Sequence, residues 1–91
     1  GAVKISVREQ SYPIIVYRAS DSRVTALLTE CTHQGCEVQM PREGSIFCPC
    51  HASQFSTTGE VISGPAQAPL TTYPAEIREG RIVVRGVTRT V

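Results

Sequence analysis

Two short motifs constrain this chain more than any other feature of its sequence. The first motif reads Cys31-Thr32-His33-Gln34-Gly35-Cys36, and the second reads Cys48-Pro49-Cys50-His51-Ala52-Ser53-Gln54-Phe55. Each places a histidine within three residues of a cysteine. Two such pairs of thiolate and imidazole have the layout of a four-ligand metal site closed by two loops. The motifs contain more candidate ligands than one ion needs, so some of the cysteines have another role.

Two simpler interpretations compete with this one. Two cysteines and two histidines bind Zn²⁺ well in a tetrahedral array, but a zinc site has no need of two further cysteines or of Ser53. Four cysteines could instead form only disulfides, with three possible pairings. That arrangement would leave His33 and His51 as ordinary surface residues, although both stand in register with the motifs.

The rest of the chain predicts an all-β fold in one domain, because 91 residues leave no room for a second core. Residues 3–7, 14–17 and 24–28 form three apolar or alternating runs typical of successive antiparallel strands. Residues 75–78 and 81–85 flank Glu79-Gly80, which favours a tight hairpin. The three tyrosines, at positions 12, 17 and 73, are expected to pack along strands and receive no functional role.

The segment between these strands, residues 30–69, differs in composition from both flanks. It holds every cysteine, both histidines and four of the six prolines. We interpret it as an insertion that carries the chemistry, mounted on a rigid scaffold of strands.

Charge and hydropathy exclude several classes of function. Nine basic residues against eight acidic residues, scattered along the chain, give no support to nucleic acid binding. No apolar run approaches the roughly 18 residues that span a bilayer, so we expect the sequence as it stands to be soluble. Gly1-Ala2 lacks an initiator methionine, and we expect a membrane anchor or export signal to lie outside this sequence.

The pattern Cys-Thr-His-x-Gly-Cys followed by Cys-Pro-Cys-His-x-Ser resembles the Rieske iron-sulfur proteins, in particular the disulfide-containing branch of cytochrome bc-type complexes. The resemblance implies a small antiparallel β-sandwich with an inserted cluster-binding subdomain, and one [2Fe-2S] cluster. It implies that Cys31 and Cys48 bind one iron, that His33 and His51 bind the other, and that Cys36 and Cys50 form a disulfide. The segment beginning Gly64-Pro65 resembles the proline loop that covers the cluster in this family.

Several neighbouring residues are expected to tune the reduction potential. Replacing two thiolates by neutral imidazoles raises the potential to about −150 to +300 mV, against about −400 mV for plant-type clusters. Titration of the imidazoles would couple electron uptake to proton uptake. Ser53 matches a family serine that donates a hydrogen bond to a bridging sulfide, which raises the potential. Phe55 stands where the highest-potential members have a tyrosine, and the absence of that hydroxyl lowers the reduction potential. Gln34 replaces the leucine of quinol-oxidising members, and Gly35 permits close packing of the first motif.

The function implied by the resemblance is one-electron transfer, with no autonomous catalysis. The first setting is the soluble head of a quinol-oxidising complex, in which a cytochrome b-type subunit is the partner and a c-type cytochrome accepts the electron. The alternative is the Rieske subunit of a molybdenum oxidoreductase such as arsenite oxidase, with a molybdopterin subunit as partner. A Rieske ferredoxin for a dioxygenase comes third, because those proteins usually lack the equivalents of Cys36 and Cys50. A disulfide persists outside the reducing cytosol, so we expect the extracytoplasmic face of a membrane.

Overall fold

The computed structural model describes residues 1–7, 10–32, 35–50 and 52–86. Within these ranges the chain forms nine β-strands and no helix, which confirms the all-β prediction. Across the same ranges there is therefore no helix long and apolar enough to span a membrane. The strands are β1 Ala2–Ile5, β2 Ile14–Arg18, β3 Val24–Leu28, β4 Ser45–Cys48, β5 Ser53–Ser56, β6 Val61–Ser63, β7 Thr72–Tyr73, β8 Ala75–Arg78 and β9 Arg81–Val84.

A four-stranded antiparallel sheet, ordered β1-β2-β3-β7, forms the centre of the molecule. Its first three strands are the three predicted from apolar runs near the N-terminus. Strand β2 is buried on both faces because alternate side chains point to opposite sides of a sheet. Ile14 and Val16 face one side and Ile15 faces the other, so the sheet has a hydrophobic layer on each face.

The predicted C-terminal hairpin, β8–β9, covers the first of these faces. Ala75 pairs with Val84, and both side chains pack against the cluster formed by Ile14, Val16 and Ala26. Glu79 and Gly80, with φ of 51° and 77°, make the two-residue turn between the strands. The hairpin and the central sheet together form the two layers of a small sandwich.

A three-stranded sheet, ordered β4-β5-β6, covers the second face and lies within the predicted insertion at residues 30–69. Ile46 and Phe55, paired across β4 and β5, share one core with Ile15 and Leu27 of the central sheet. The sequence pattern predicted no strands in this segment. The limits of the insertion stay a prediction, but this sheet carries the second motif and fixes it against the scaffold.

Candidate metal centre

The first motif forms a closed loop just after strand β3. The Cys31 N–H donates to the Cys36 carbonyl at 2.7 Å, and the Gly35 N–H donates to the Cys31 carbonyl at 2.9 Å. An isolated bridge between Glu30 and Glu37 closes the base of the loop. Gly35 has a φ of +76°, a conformation that glycine adopts without a steric cost. The return from Gly35 to Cys36 therefore favours glycine at this position.

The second motif occupies the tip of the β4–β5 hairpin. Cys48, the last residue of β4, pairs directly with Ser53, the first residue of β5, so residues 49–52 connect the strands. Ala52 completes the connection with a φ of +62°. The register of this hairpin places Cys48 and Ser53 side by side at the start of the connection.

A disulfide between Cys36 and Cys50 joins the two motifs, and the predicted pairing is confirmed. The Cα atoms of the two cysteines are 6.5 Å apart, and 14 positions separate them in the sequence. The bond ties the loop that follows β3 to the hairpin tip that follows β4. The two loops are thus held against each other covalently.

The other two cysteines stand outside the disulfide and are buried. Cys31 is 2% exposed and Cys48 is 1% exposed. Both belong to the core that the central sheet shares with β4 and β5, together with Val38, Ile46 and Phe55. The structure thus brings one buried thiol from each motif into the same hydrophobic surroundings.

The proline loop, residues 64–69, covers the same region and contacts both motifs. The Thr32 hydroxyl donates to the Ala68 carbonyl at 2.6 Å, and the buried Ala66 N–H donates to the Ser53 hydroxyl at 3.1 Å. Gly64, with a φ of +95°, lies directly against the Ser53 backbone. Pro65 is exposed, whereas Ala66 is buried, so the loop turns its small residue inward.

Comparison with known proteins identifies this arrangement. The family model described as the Rieske [2Fe-2S] domain matches residues 2–74, which is most of the chain. The chain belongs to the Rieske family. The family predicted from the two motifs is therefore confirmed. A Rieske domain carries one [2Fe-2S] cluster.

Relatives of this Rieske domain include iron-sulfur subunits of the cytochrome b6-f complex. The subunit of Chlorobaculum thiosulfatiphilum is 42% identical over 62 residues, covering 67% of this chain and 34% of the relative. The subunit of Chlorobaculum tepidum is 37% identical over 79 residues, covering 76% of this chain and 44% of the relative. The chain thus spans less than half the length of these two relatives.

A solved structure is also similar over nearly the whole chain. The crystal structure of the cyanobacterial plasma membrane Rieske protein PetC3 from Synechocystis PCC 6803 is 32% identical, with a TM-score of 0.81. The match covers 94% of this chain and 87% of that chain. The arrangement of sheets described above is therefore a Rieske fold.

The described residues fit a [2Fe-2S] cluster. Cysteine thiolates are the usual protein ligands of iron-sulfur clusters. Two cysteine thiols, one from each of the two motifs, are buried here. Neither is used by the disulfide, which consumes the other two cysteines. Three predicted site residues, His33, Gln34 and His51, lie outside the described residues. The ligand set as a whole stays a prediction.

Ser53 and Phe55 lie two positions apart on β5 and therefore share its buried face, and Phe55 belongs to the same core as Cys31 and Cys48. Both are 0% exposed. The Ser53 oxygen accepts a hydrogen bond from the Ala66 N–H, which leaves its own proton for donation to another acceptor. The Phe55 ring lies in the core and carries no hydroxyl. The tuning roles of the two residues stay a prediction.

Two residues of the site, Thr32 and Ala66, were not predicted from the sequence. Thr32 received no role beyond its place in the first motif, although its hydroxyl joins this motif to the proline loop. Its position between the two candidate ligands of the first motif is a signal that could have indicated a structural role. Ala66 carries no such signal, because its contribution is a backbone N–H that any residue except proline would supply.

Proposed function

We propose that this Rieske domain transfers single electrons as the head of a quinol-oxidising cytochrome bc-type complex. The observation that carries the proposal is the burial of Cys31 and Cys48 in two loops that a disulfide joins. Such a site holds an iron-sulfur cluster rigidly and keeps water from the thiolates. The relatives named as cytochrome b6-f subunits support the choice of complex.

The proposed ligands are the thiolates of Cys31 and Cys48 and the imidazoles of His33 and His51. When bound, the cluster supplies one-electron redox chemistry at a potential that the two neutral imidazoles raise above that of all-cysteine clusters. The remaining motif cysteines, Cys36 and Cys50, hold the loops together and bind no iron.

The surrounding residues have three tasks in this proposal. Ile46, Phe55 and their neighbours exclude water from the thiolate side of the site. The proline loop, through Ala66 and Ala68, anchors both motifs and shields the site on a further side. Ser53 offers a hydroxyl proton where negative charge increases upon reduction, which stabilises the reduced state.

The proposed partners are a cytochrome b-type subunit, at which quinol is oxidised, and a c-type cytochrome that accepts the electron. The proposed location is the extracytoplasmic face of a membrane, because disulfides such as Cys36–Cys50 persist in oxidising compartments. We also propose that a membrane anchor holds this domain at that membrane.

Cluster content tests the first part of the proposal. The purified domain, reconstituted with iron and sulfide under anaerobic conditions, should contain two iron and two sulfide per chain, as expected for one [2Fe-2S] cluster. It should show a brown to red colour and an EPR signal after reduction. His33→Ala and His51→Ala should each lose the cluster, whereas Lys4→Ala, a surface control, should keep it. A colourless protein containing one zinc per chain would contradict the assignment.

Electron exchange with partners tests the second part. The reduced domain should reduce a c-type cytochrome rapidly in stopped-flow measurements, and a membrane fraction containing a cytochrome b-type subunit should reduce the oxidised domain with quinol. Cys48→Ser, which removes a proposed ligand, is the negative control. Failure of quinol-dependent reduction, with an intact cluster, would overturn the choice of complex but not the cluster.

A further inference from the structure

We propose that Tyr12 is a positioning residue that holds the first motif in place for cluster binding. This inference rests on the proposed function. The Tyr12 hydroxyl donates a hydrogen bond to the carbonyl of Gly35, which is 23 residues away along the chain. Tyr12 lies just before strand β2, so the bond connects the scaffold sheet to the loop that carries Cys31.

The loop side of this contact is the peptide between Gly35 and Cys36. The same Gly35 donates its N–H to the Cys31 carbonyl at 2.9 Å, so it is bonded both to the proposed ligand and to Tyr12. A Cβ at Gly35 would lie 3.3 Å from the Tyr12 hydroxyl, closer than an ordinary van der Waals contact. The approach of the tyrosine therefore adds a second requirement for glycine to the one set by the positive φ.

The scaffold side of the contact is itself held by hydrogen bonds. The Gln10 side-chain amide donates to the Tyr12 carbonyl at 3.1 Å. The next residue, Pro13, accepts from the Thr29 N–H at 3.1 Å and from the Thr29 hydroxyl at 2.8 Å. Thr29 is completely buried and precedes Cys31 by two residues. Tyr12 thus holds the first motif near its end, at Gly35, and Pro13 holds Thr29 just before the motif begins.

The electrostatic consequence follows from the direction of the hydrogen bond. The Tyr12 O–H places the positive end of its dipole against the Gly35 carbonyl and polarises the amide that leads to Cys36. Reduction adds one negative charge to the site, and donors directed at the surrounding loop lower the free energy of that state. Loss of the hydroxyl should therefore lower the midpoint potential and also loosen the loop.

The test compares Tyr12→Phe with Tyr73→Phe in the cluster-loaded domain. Each variant removes one phenolic oxygen, but Tyr73 packs on the opposite face of the central sheet, against Ile14 and Val16. Protein-film voltammetry should show a lower midpoint potential for Tyr12→Phe and no change for Tyr73→Phe. Cluster loss to an iron chelator should be roughly fivefold faster for Tyr12→Phe, the factor that about 1 kcal/mol gives at 1.4 kcal/mol per tenfold change.

An unchanged potential in Tyr12→Phe would overturn the inference whatever happens to its melting temperature, because a purely structural role would move the melting temperature alone. If Tyr12→Phe cannot be loaded, Gln10→Ala replaces it, since that change leaves the Tyr12 hydroxyl intact and removes only the support of its backbone. Gln10→Ala should lower the potential by a smaller amount, and no shift would again overturn the inference. Failure of the unchanged domain to bind a cluster would overturn the proposed function instead.

Discussion

Gly64 approaches Ser53 so closely that a Cβ on Gly64 would lie 2.5 Å from the Ser53 Cα. The same Cβ would lie 2.9 Å from the Ala52 carbonyl oxygen. All these neighbours are backbone atoms of the second motif, which cannot move aside as a flexible side chain can. The proline loop therefore sits directly on the hairpin tip, and only glycine permits that contact.

Gly64→Ala should therefore displace the proline loop from the second motif. The steric clash and the positive φ together should lower the free energy of unfolding by at least about 2 kcal/mol and speed cluster loss to a chelator. Gly44→Ala is the matched control, because Gly44 has a similar φ of +83° but open space around the position of a Cβ. Equal effects of the two variants, measured by thermal unfolding and by chelator kinetics, would show that the contact with Ser53 does not matter.

Ser53→Ala should lower the midpoint potential. The change removes a buried hydroxyl whose oxygen accepts from Ala66 and whose proton can be donated toward the cluster. A hydrogen bond that is about 1 kcal/mol stronger in the reduced state corresponds to roughly 40 mV, since 59 mV equals a tenfold change for one electron. Ser56→Ala, at the other end of β5, removes a hydroxyl that accepts from Thr58 and Glu60 and should leave the potential unchanged.

Phe55→Tyr should raise the midpoint potential, because the added hydroxyl would lie on the strand face that carries Ser53, in the core that also contains Cys31 and Cys48. We expect a shift of a similar size, roughly 40 mV, in voltammetry. Phe47→Tyr is the control, since Phe47 alternates with Ile46 and Cys48 and so points to the other side of β4. A drop in potential in Phe55→Tyr would contradict the tuning role of this position.

Replacing Cys36 and Cys50 together by serine should leave the proposed ligands intact but make the cluster labile. A closed loop with a separation of 14 residues corresponds to about 3 kcal/mol of stabilisation in the chain-entropy treatment of disulfides. The variant should lose its visible spectrum faster in the presence of a chelator, and the unchanged protein should match it after reduction with a dithiol. A cluster lifetime equal to that of the unchanged protein would exclude a role for the bridge.

Ala52→Gly should stabilise the hairpin tip. Ala52 has a left-handed φ of +62°, which costs roughly 1–2 kcal/mol for a residue with a Cβ, while glycine loses about 0.4–1 kcal/mol through the entropy of the unfolded chain. The net gain should be up to about 1.6 kcal/mol and should raise the melting temperature. Ala19→Gly, at a position without a positive φ, should lower it. A lower melting temperature for Ala52→Gly would show that the local backbone is not strained.

The sequence predicted the scaffold strands well because local patterns encode them. Ile14 to Tyr17 and Val24 to Leu28 are apolar runs of strand length, and Glu79-Gly80 is a recognisable turn. The disulfide followed from the resemblance of the two motifs to a known family. Strands β4 to β6 were not predicted because they lie between turn-prone residues, and the cysteines and prolines around them favoured a loop-like insertion.

Contacts between distant segments explain what else was missed. The hydrogen bond from Tyr12 to Gly35 spans 23 residues, and the one from Thr32 to Ala68 spans 36. Neither leaves a periodic signal, since each depends on how the first motif packs against the residues before β2 and against the proline loop after folding. Tyr12 was expected only to pack along a strand, and its role in the loop comes from the three-dimensional arrangement alone.

The direct pairing of Cys48 with Ser53 has a consequence for how the second motif can vary in length. Side chains alternate along a strand, so inserting or deleting a single residue between these two positions would shift β5 by one step relative to β4. Ser53 and Phe55 would then turn to the outer surface, and Gln54 would enter the core. Substitutions can change the chemistry of this hairpin gradually, whereas a change of one residue in its length removes both tuning side chains at once.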